Sequence, residues 1–419
     1  MAPLEILLIG AGNRGTHAYG PYAFAHPDQI RFTAVAEPDP VRRAYFADLH
    51  DISPERQFAS WQEALAQPQM AHAVLNTTMD QEHFASAIAV MKAGYDMLLE
   101  KPMATSAVDC LELVRVAEET GRTLQICHVL RFTNFFSKLY EIVNSGRLGR
   151  IVTIDHRENV SYWHMSHSFV RGNWGNTAKS APMILAKCCH DMDALSWIIK
   201  QPVKSLSSFG SLMHYKADQA PPDAPMRCTD GCPIQDTCLW YAPKLYGAIE
   251  GTPAVSRFMV NALGPADDSP TAVWDRLTTS PYGRCVYHAD NDVVDHQVVN
   301  MEFEGGTTCT FTMHGHSDRE GRTIRWDGTK ATLFGDFSSG RPFEIRIVDH
   351  GQEDTPEIIQ FDDGAGHGGG DEGLMSNFVK TMRGEQTPHT TTARVSLQSH
   401  LMCFAAEEAR LNGKVVRFD

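Results

Sequence analysis

Two kinds of apolar pattern alternate along the first 130 residues. "LEILLIG" (4–10) is a continuous apolar run, short enough to be a strand buried on both faces. "IRFTAVAEP" (30–38), "HAVLNT" (72–77), "DMLLE" (96–100) and "TLQICHV" (123–129) have the same character, and Pro38 stops the second. Between them the apolar residues recur at helical spacing. "NRGTHAYGPYAFAH", a segment from Pro40, "WQEALAQ", "DQEHFASAIAVMKAGY" with its stop at Gly94, and "SAVDCLELVRVAEETG" predict helices. Strands alternating with helices predict a parallel, doubly wound sheet.

The pattern changes near residue 131. A helix over "NFFSKLYEIVNSG" (134–146) leads into a longer strand, "GRIVTIDHREN" (149–159). "SAPMILAKCCHDMDALSWIIKQP" (180–202) predicts one helix. Beyond residue 290 strands dominate, in "HQVVNMEFEGGTTCTFTMHG", "TIRWDGTKATLFGDF" and "FEIRIVDHG". Their alternation and short glycine turns predict an antiparallel sheet with one covered face. A Pro-rich, Cys-containing stretch at about 216–285 fits neither pattern and reads as an insertion. "ARVSLQSHLMCFAAEEARLNG" is a closing helix stopped by Gly413. The expected fold class is α/β. A Rossmann-type doubly wound parallel sheet fills residues 1–130. An α/β domain with a large, mostly antiparallel open sheet fills 131–419.

Length agrees with two domains, since 419 residues exceed the ~250–300 at which single cores stop growing. A composition 42% hydrophobic and 21% charged is that of a globular chain. The net charge of −14 argues against a nucleic-acid partner and against an anionic membrane surface. No apolar stretch is long enough to span a bilayer, and "MAPLEILLIGAG" lacks the basic region and cleavage site of a signal peptide. A cytoplasmic location is expected. Ten cysteines in a reducing compartment should be free thiols or metal ligands.

Gly10-Ala11-Gly12-Asn13-Arg14-Gly15 is G-x-G-x-x-G between a strand and a helix. Gly10 allows the tight turn, Gly12 lets backbone approach a pyrophosphate, and Gly15 allows close helix–strand packing. Glu37 ends the second strand, where an acid should hold ribose hydroxyls. A carboxylate there repels a 2′-phosphate, so NAD is favoured over NADP, a preference tempered by Arg42 and Arg43. Strand carboxyl ends are where ligands bind in such sheets. Thr77 and Thr78, with His83 in the following helix, and Glu100 and Lys101 are therefore placed near the cofactor.

Glu100-Lys101-Pro102 after a strand, with the fingerprint and His190-x-x-Asp193, resembles the glucose–fructose oxidoreductase / inositol dehydrogenase / MocA family over the whole length apart from the insertion. The resemblance implies that Lys101 sits between nicotinamide and substrate, its peptide bond to Pro102 often cis. It implies that His190 is the proton carrier. It also implies a Rossmann domain followed by an α/β domain whose open sheet often mediates homo-oligomers. Many relatives carry an Asp four residues before this histidine, and here that position is Ala186, with Lys187 after it. Helical spacing sets Lys187 and His190 on one face. Three roles are open to Lys187: lowering the histidine pKa, binding an anionic substrate group, or acting as the base. Asp191 and Asp193 are the nearest carboxylates, and Asp193 is expected to orient the His190 ring.

"ENVSYWHMSHSFVRGNWGN" (158–176) supplies aromatic faces and bidentate donors suited to a sugar. Tyr162, Trp163, His164, His167, Arg171 and Trp174 are candidate substrate contacts, as are His128, Arg131 and Asp193. "GHGGGDEG" (366–373) offers His367 or Asp371 at a pocket rim, though a polar turn is the simpler reading. Cys228, Cys232, Cys238 and the distant Cys285 match a four-thiolate structural zinc site, which would staple an insertion poor in apolar residues. Cys188 and Cys189 read as small packing residues.

The expected function is an NAD-dependent oxidoreductase acting on a hydroxyl or keto carbon of a sugar, glycoside or cyclitol. An NAD-dependent glycosidase that oxidises its substrate transiently needs the same lysine and histidine. A non-catalytic NAD-binding sensor needs neither.

Overall fold

The computed structural model describes residues 2–264, 267–362, 365–385 and 387–418. Contacts divide the chain into two compact units. The described residues of 1–137, 192–196 and 364–404 form the first, and those of 138–191, 197–363 and 405–419 form the second. A single division at residue 130 misses two returns of the chain to the first unit. The returns are driven by apolar side chains. Leu374, Met375, Phe378 and Val379 pack with Ile6, Leu8 and Phe32, while Ala393 and Leu397 join the cluster of Leu7, Ile9 and Val74.

The first unit holds a six-stranded parallel sheet: β1 (Leu4–Ile9), β2 (Ile30–Ala36), β3 (Gln57–Phe58), β4 (Ala73–Asn76), β5 (Asp96–Leu99) and β6 (Leu124–Ile126), in the order β3-β2-β1-β4-β5-β6. Ile6 and Leu8 enter one core cluster and Leu7 and Ile9 the other, so β1 is buried on both faces and reads as an unbroken apolar run. Strand order reverses between β1 and β4, the switch point at whose carboxyl ends ligands bind in such sheets. β3 is a two-residue strand against Val35 and Ala36, too short to show a period in the sequence.

The second unit holds nine strands: β7 (Ile151–Ser161), β8 (Val203–Ser211), β9 (His296–Phe303), β10 (Thr308–Ser317), β11 (Gly321–Gly328), β12 (Ala331–Ser338), β13 (Phe343–Asp349), β14 (Glu357–Phe361) and β15 (Val416–Arg417). Their order is β14-β13-β12-β11-β7-β10-β9-β8-β15, antiparallel except for β7 beside β10. In the middle of β7, Ile154, His156, Glu158 and Val160 point to the covered face. Two of those four are ionisable.

Residues 180–202 do not form one helix. A turn at Lys187 and Cys188 separates Met183–Ala186 from Cys189–Ile199. Lys187 is therefore not on the helical face of His190, as the spacing had suggested. Nor is the insertion poor in apolar contacts. Tyr241, Leu245, Tyr246, Met259, Val273 and Leu277 form a core of their own.

Candidate active site

The glycine turn follows from steric limits at two positions. Gly10 has φ +91°, and a Cβ there would meet the Thr77 carbonyl oxygen at 2.7 Å. A Cβ at Gly15 would meet the Gly10 oxygen at 2.5 Å. At Gly12 nothing lies within 4 Å of that position, so this face of the turn is open to a ligand. The helix beyond is wide in its first turns, with the Gly20 N–H reaching back to the Gly15 carbonyl. Asn13 precedes it without a side-chain cap. Glu37 sits at the end of β2, 7% exposed, where its oxygens accept the N–H groups of Ala11 and Asp39 at 2.7 and 2.9 Å. A carboxylate has about four lone-pair sites, which leaves capacity for ribose hydroxyls. Open backbone at Gly12 and an acid beside the turn fit a dinucleotide. Thr77 is at the same end of the sheet, its hydroxyl donating to the Gly10 carbonyl at 2.5 Å, and Thr78 donates to Asn76 at 2.9 Å.

Arg14 and Glu100 are taken up by each other. Arg14 Nε donates to Glu100 at 2.6 Å, and its NH2 donates to Asp371 at 2.7 Å and to the Tyr19 hydroxyl at 2.5 Å. Tyr19 donates in turn to Glu100 at 2.7 Å, and the Lys101 N–H donates to the other Glu100 oxygen at 2.9 Å. Burial works against the Glu100 charge, but Arg14 and Lys101 outweigh it and hold the carboxyl below its usual range. Arg14 lies in the glycine motif and Glu100 was expected near the cofactor. Their geometry instead fixes the turn that carries Lys101. Asp371, expected at most on a rim, closes this cluster from 357 residues away, and His367 lies 3.2 Å from it.

Lys101 is half-buried and its bond to Pro102 is cis. Two histidines brace this turn. His83 is fully buried, its Nδ1 2.6 Å from the Pro102 carbonyl oxygen and its Nε2 3.0 Å from that of Thr78. That placement corrects the expectation that His83 contacts cofactor. His400, which nothing in the sequence singled out, accepts the Met103 N–H at 3.0 Å and donates to the Ser396 carbonyl. Burial and the neighbouring His128 bring its pKa down to about 3, so it stays neutral.

His128, Arg131 and Asp193, expected to contact substrate, are buried together. Arg131 and Asp193, each 1% exposed, form a two-pronged ion pair at 2.7 and 2.6 Å. His128 lies 3.7 Å from the same carboxylate, and burial, with Arg131 and Lys101 nearby, holds its pKa well down. Asp193 pairs with Arg131. A buried bidentate pair leaves no fork for a ligand.

In the second unit His190 is buried at the start of Cys189–Ile199. Lys187 Nζ donates to Glu320 at 2.9 Å and lies 3.4 Å from Glu158. Burial opposes its charge, yet the two carboxylates raise its pKa further above that of a free lysine. That corrects the reading of Lys187 as a base or as a free anion site: it is a held cation. Arg322 pairs with Glu158 and donates to Asp191 at 3.0 Å, and His156 lies 2.9 Å from Asp191. Burial pushes the Glu158 carboxyl up to about 8, against the pull of Arg322 and Lys187. The carboxylate absent at Ala186 thus has counterparts on β7 and at the β10–β11 turn, which local spacing cannot reveal.

The 162–174 segment divides. His164 sits 2.9 Å from Glu320, and Trp163 stacks on His164. Tyr162 and Trp163 pack against the insertion core, and Trp174 lies against Phe169. His167 and Arg171 are buried, contrary to a ligand-binding role. His167 Nδ1 is 2.5 Å from the Tyr246 hydroxyl and its ring stacks on Tyr282, while Arg171 donates to the carbonyls of Arg284 and Trp240 at 2.6 Å each. Among the described residues no three His, Cys, Asp or Glu side chains are set to hold a metal ion, the four candidate cysteines included.

Comparison with known proteins agrees with this architecture. Residues 4–128 match the oxidoreductase family with an NAD-binding Rossmann fold, and residues 141–418 match that family's C-terminal alpha/beta domain. YteT of Bacillus subtilis, named as an oxidoreductase, is 22% identical over 71% of this chain and 70% of its own length. Inositol 2-dehydrogenase 2 of Saccharopolyspora erythraea is 29% identical over 31% of this chain and 36% of its own. Further curated relatives are matched over less than half their length. Among solved structures, the aldose-aldose oxidoreductase of Caulobacter crescentus superposes with a TM-score of 0.69 at 14% identity, covering 99% of this chain and 100% of that one. The WlbA dehydrogenase of Bordetella pertussis, in complex with NADH and UDP-GlcNAcA, gives 0.66 at 17% identity, covering 100% and 99%. These likenesses show the fold, and the two family matches run in order along nearly the whole chain. It belongs to the glucose–fructose oxidoreductase / inositol dehydrogenase / MocA family of NAD-binding oxidoreductases.

Proposed function

We propose that the chain oxidises a hydroxyl of a sugar, glycoside or cyclitol, or reduces the matching ketone, with Lys101 and His190 handling the proton. The observation that carries this reading is the bracing of Lys101. Glu100, His83 and His400 fix its turn, a degree of support that a surface lysine does not need. Relatives named inositol 2-dehydrogenase point to a polyhydroxylated substrate. Bound NAD supplies the hydride acceptor. The Lys101 ammonium donates a hydrogen bond to the reacting oxygen and stabilises negative charge there. His190 takes the proton and returns it in the reverse direction. Lys187 is assigned a positioning role, held by Glu320 and Glu158.

The same reading places the protein in the cytoplasm, supported by ten cysteines of which none is in a disulfide. No helix among the described residues is long and apolar enough to cross a membrane. Self-association through the large sheet is supported by its outward face, where Asp155, Arg157 and Arg325 are exposed and Phe209 is 64% exposed.

The test combines purified protein, NAD, and a panel of cyclitols, free sugars and chromogenic glycosides, with NADH absorbance and aglycone release followed together. NADH accumulation is expected. Lys101→Ala and His190→Ala should each lower kcat by roughly 10²–10⁴ while NADH binding, read by fluorescence, is retained. Turnover unchanged in Lys101→Ala would overturn the assignment. NAD-dependent aglycone release without net NADH would replace a dehydrogenase with a redox-cycling glycosidase.

A further inference from the structure

Four of the ten cysteines converge on one void in the second unit. Cys228, Cys232, Cys238 and Cys285 line it together, with Trp240 and Arg171 among the remaining walls. Backbone pairing brings the distant pair side by side: the Cys228 N–H donates to Gly283, and the Cys285 N–H to Met226, each at 2.9 Å. A separate turn brings Cys238, whose N–H donates to Ile234 at 2.9 Å, back toward Cys232. The void is about 10 Å³, room for one ion and not for a larger ligand.

Burial pushes the Cys238 and Cys285 thiols up, yet donors are aimed at the sulfurs. The Trp240 N–H faces the Cys238 sulfur and the Tyr287 N–H faces the Cys285 sulfur, each two residues downstream. Arg171, 2% exposed, is anchored by two carbonyls and directs NH2 to the Cys228 sulfur at 3.6 Å. Its NH1 is buried without a hydrogen-bond partner. A free cysteine in a core behaves as a small apolar group and gains nothing from a guanidinium beside it. Hydrogen bonds and positive charge on sulfur are what a metal–thiolate centre uses. The sulfurs do not stand at ligand spacing as they are. All four line the same void, and a χ1 turn moves a sulfur by about 3 Å.

We propose that Cys228, Cys232, Cys238 and Cys285 close on a single Zn²⁺ as a structural site. Four thiols lose four protons as four Zn–S bonds form, leaving a centre of charge −2 that Arg171 and the two N–H groups offset. The ion ties residues 228–238 to Cys285 and, through Arg171, to the 162–174 segment. It takes no part in hydride transfer.

The full chain, expressed with added zinc, is assayed for metal by mass spectrometry, and zinc release is followed as a mercurial titrates the thiols. About one Zn²⁺ per chain is expected, released as about four thiols react. Cobalt substitution should give the thiolate charge-transfer and intense visible bands of a tetrahedral site. Cys285→Ser should lose the metal, and Cys309→Ala, a buried cysteine on β10, should keep it. A folded wild-type chain with under about a tenth of an equivalent of zinc would overturn the proposal, as would zinc retained by Cys228→Ser/Cys285→Ser, or a disulfide between any two of the four. If the variants fail to fold, the wild-type titration decides alone. Metal content is read without NAD or substrate, so failure of the Lys101 assignment leaves this result standing.

Discussion

Each unit holds a cation between two carboxylates, and the two clusters settle their charge differently. In the first unit Arg14 lies between Glu100 and Asp371, and both acids are held below their usual range. In the second, Lys187 lies between Glu158 and Glu320, with Arg322 behind, and Glu158 is pushed up to about 8. Cations are not scarcer in the second cluster. Two things differ: Asp191 and Glu320 push Glu158 up, and the hydrogen bonds are unequal. Glu100 accepts from Arg14, the Tyr19 hydroxyl and the Lys101 N–H. Glu158 is fully buried, and neither of its oxygens accepts a hydrogen bond of good geometry. A cation in contact but poorly aligned does not fully replace a well-directed donor, because a desolvated carboxylate must recover its lost hydration locally.

The largest predicted effect breaks this symmetry. Arg14→Leu leaves two buried carboxylates that are both ionised at neutral pH, and should cost about 3–5 kcal/mol of stability. Lys187→Leu should cost roughly half as much, because Glu158 already favours its neutral form and Glu320 keeps His164. Thermal midpoints measured side by side at pH 7 check the ranking, and equal losses would refute the distinction.

A smaller effect appears in the pH dependence. The folded pKa of Glu158, about 8, lies above its unfolded value, so between roughly pH 4.5 and 8 the folded chain holds the extra proton. Its term is therefore most favourable at the acid end and declines as pH rises to 8. Glu100 and Asp371 have depressed folded values, so their contribution is lost only as pH falls below the usual carboxylate range. Glu158→Gln keeps the shape and removes the titration. It should flatten the decline between pH 5 and 8 and leave the variant more stable than the parent at pH 8.5, by roughly 1–2 kcal/mol. Denaturant midpoints across that range measure it.

What could be read locally explains why only one of these clusters was partly anticipated. The first sheet was legible because strands buried on both faces are unbroken apolar runs, and Gly10, Gly12, Gly15, Glu37 and Lys101 are each tied to a strand end by short-range spacing. Partners that complete the charges are not local. Asp371 reaches Arg14 across 357 residues and Glu320 reaches Lys187 across 133. Glu158 looks like any polar residue in an alternating strand until the register of β7 turns it inward. The same limit misjudged residues 180–202. Ala, Lys and Cys permit a helix to continue, and the turn at Lys187 goes with ion pairs to distant strands. Arg131, Asp193, His167 and Arg171 carried polar groups that suit a ligand, and each meets its own chain instead.

The smallest effect tests what a hydroxyl donor adds to the Arg14 and Lys101 charges that keep Glu100 ionised. Tyr19→Phe removes one hydroxyl that donates to Glu100 and accepts from Arg14, while keeping the ring on which the Arg14 guanidinium lies. The loss should be about 1 kcal/mol at neutral pH. Its signature lies in the acid limb. With one donor gone the folded pKa of Glu100 rises toward the unfolded value. Its contribution to stability shrinks, and acid unfolding begins at higher pH than in the parent. The second cluster offers no hydroxyl to Glu158, so no single tyrosine there should move the titration near pH 8. A Tyr19→Phe chain whose acid midpoint stays where it was would mean that Arg14 alone holds the charge, and that the contrast between the two clusters has another cause.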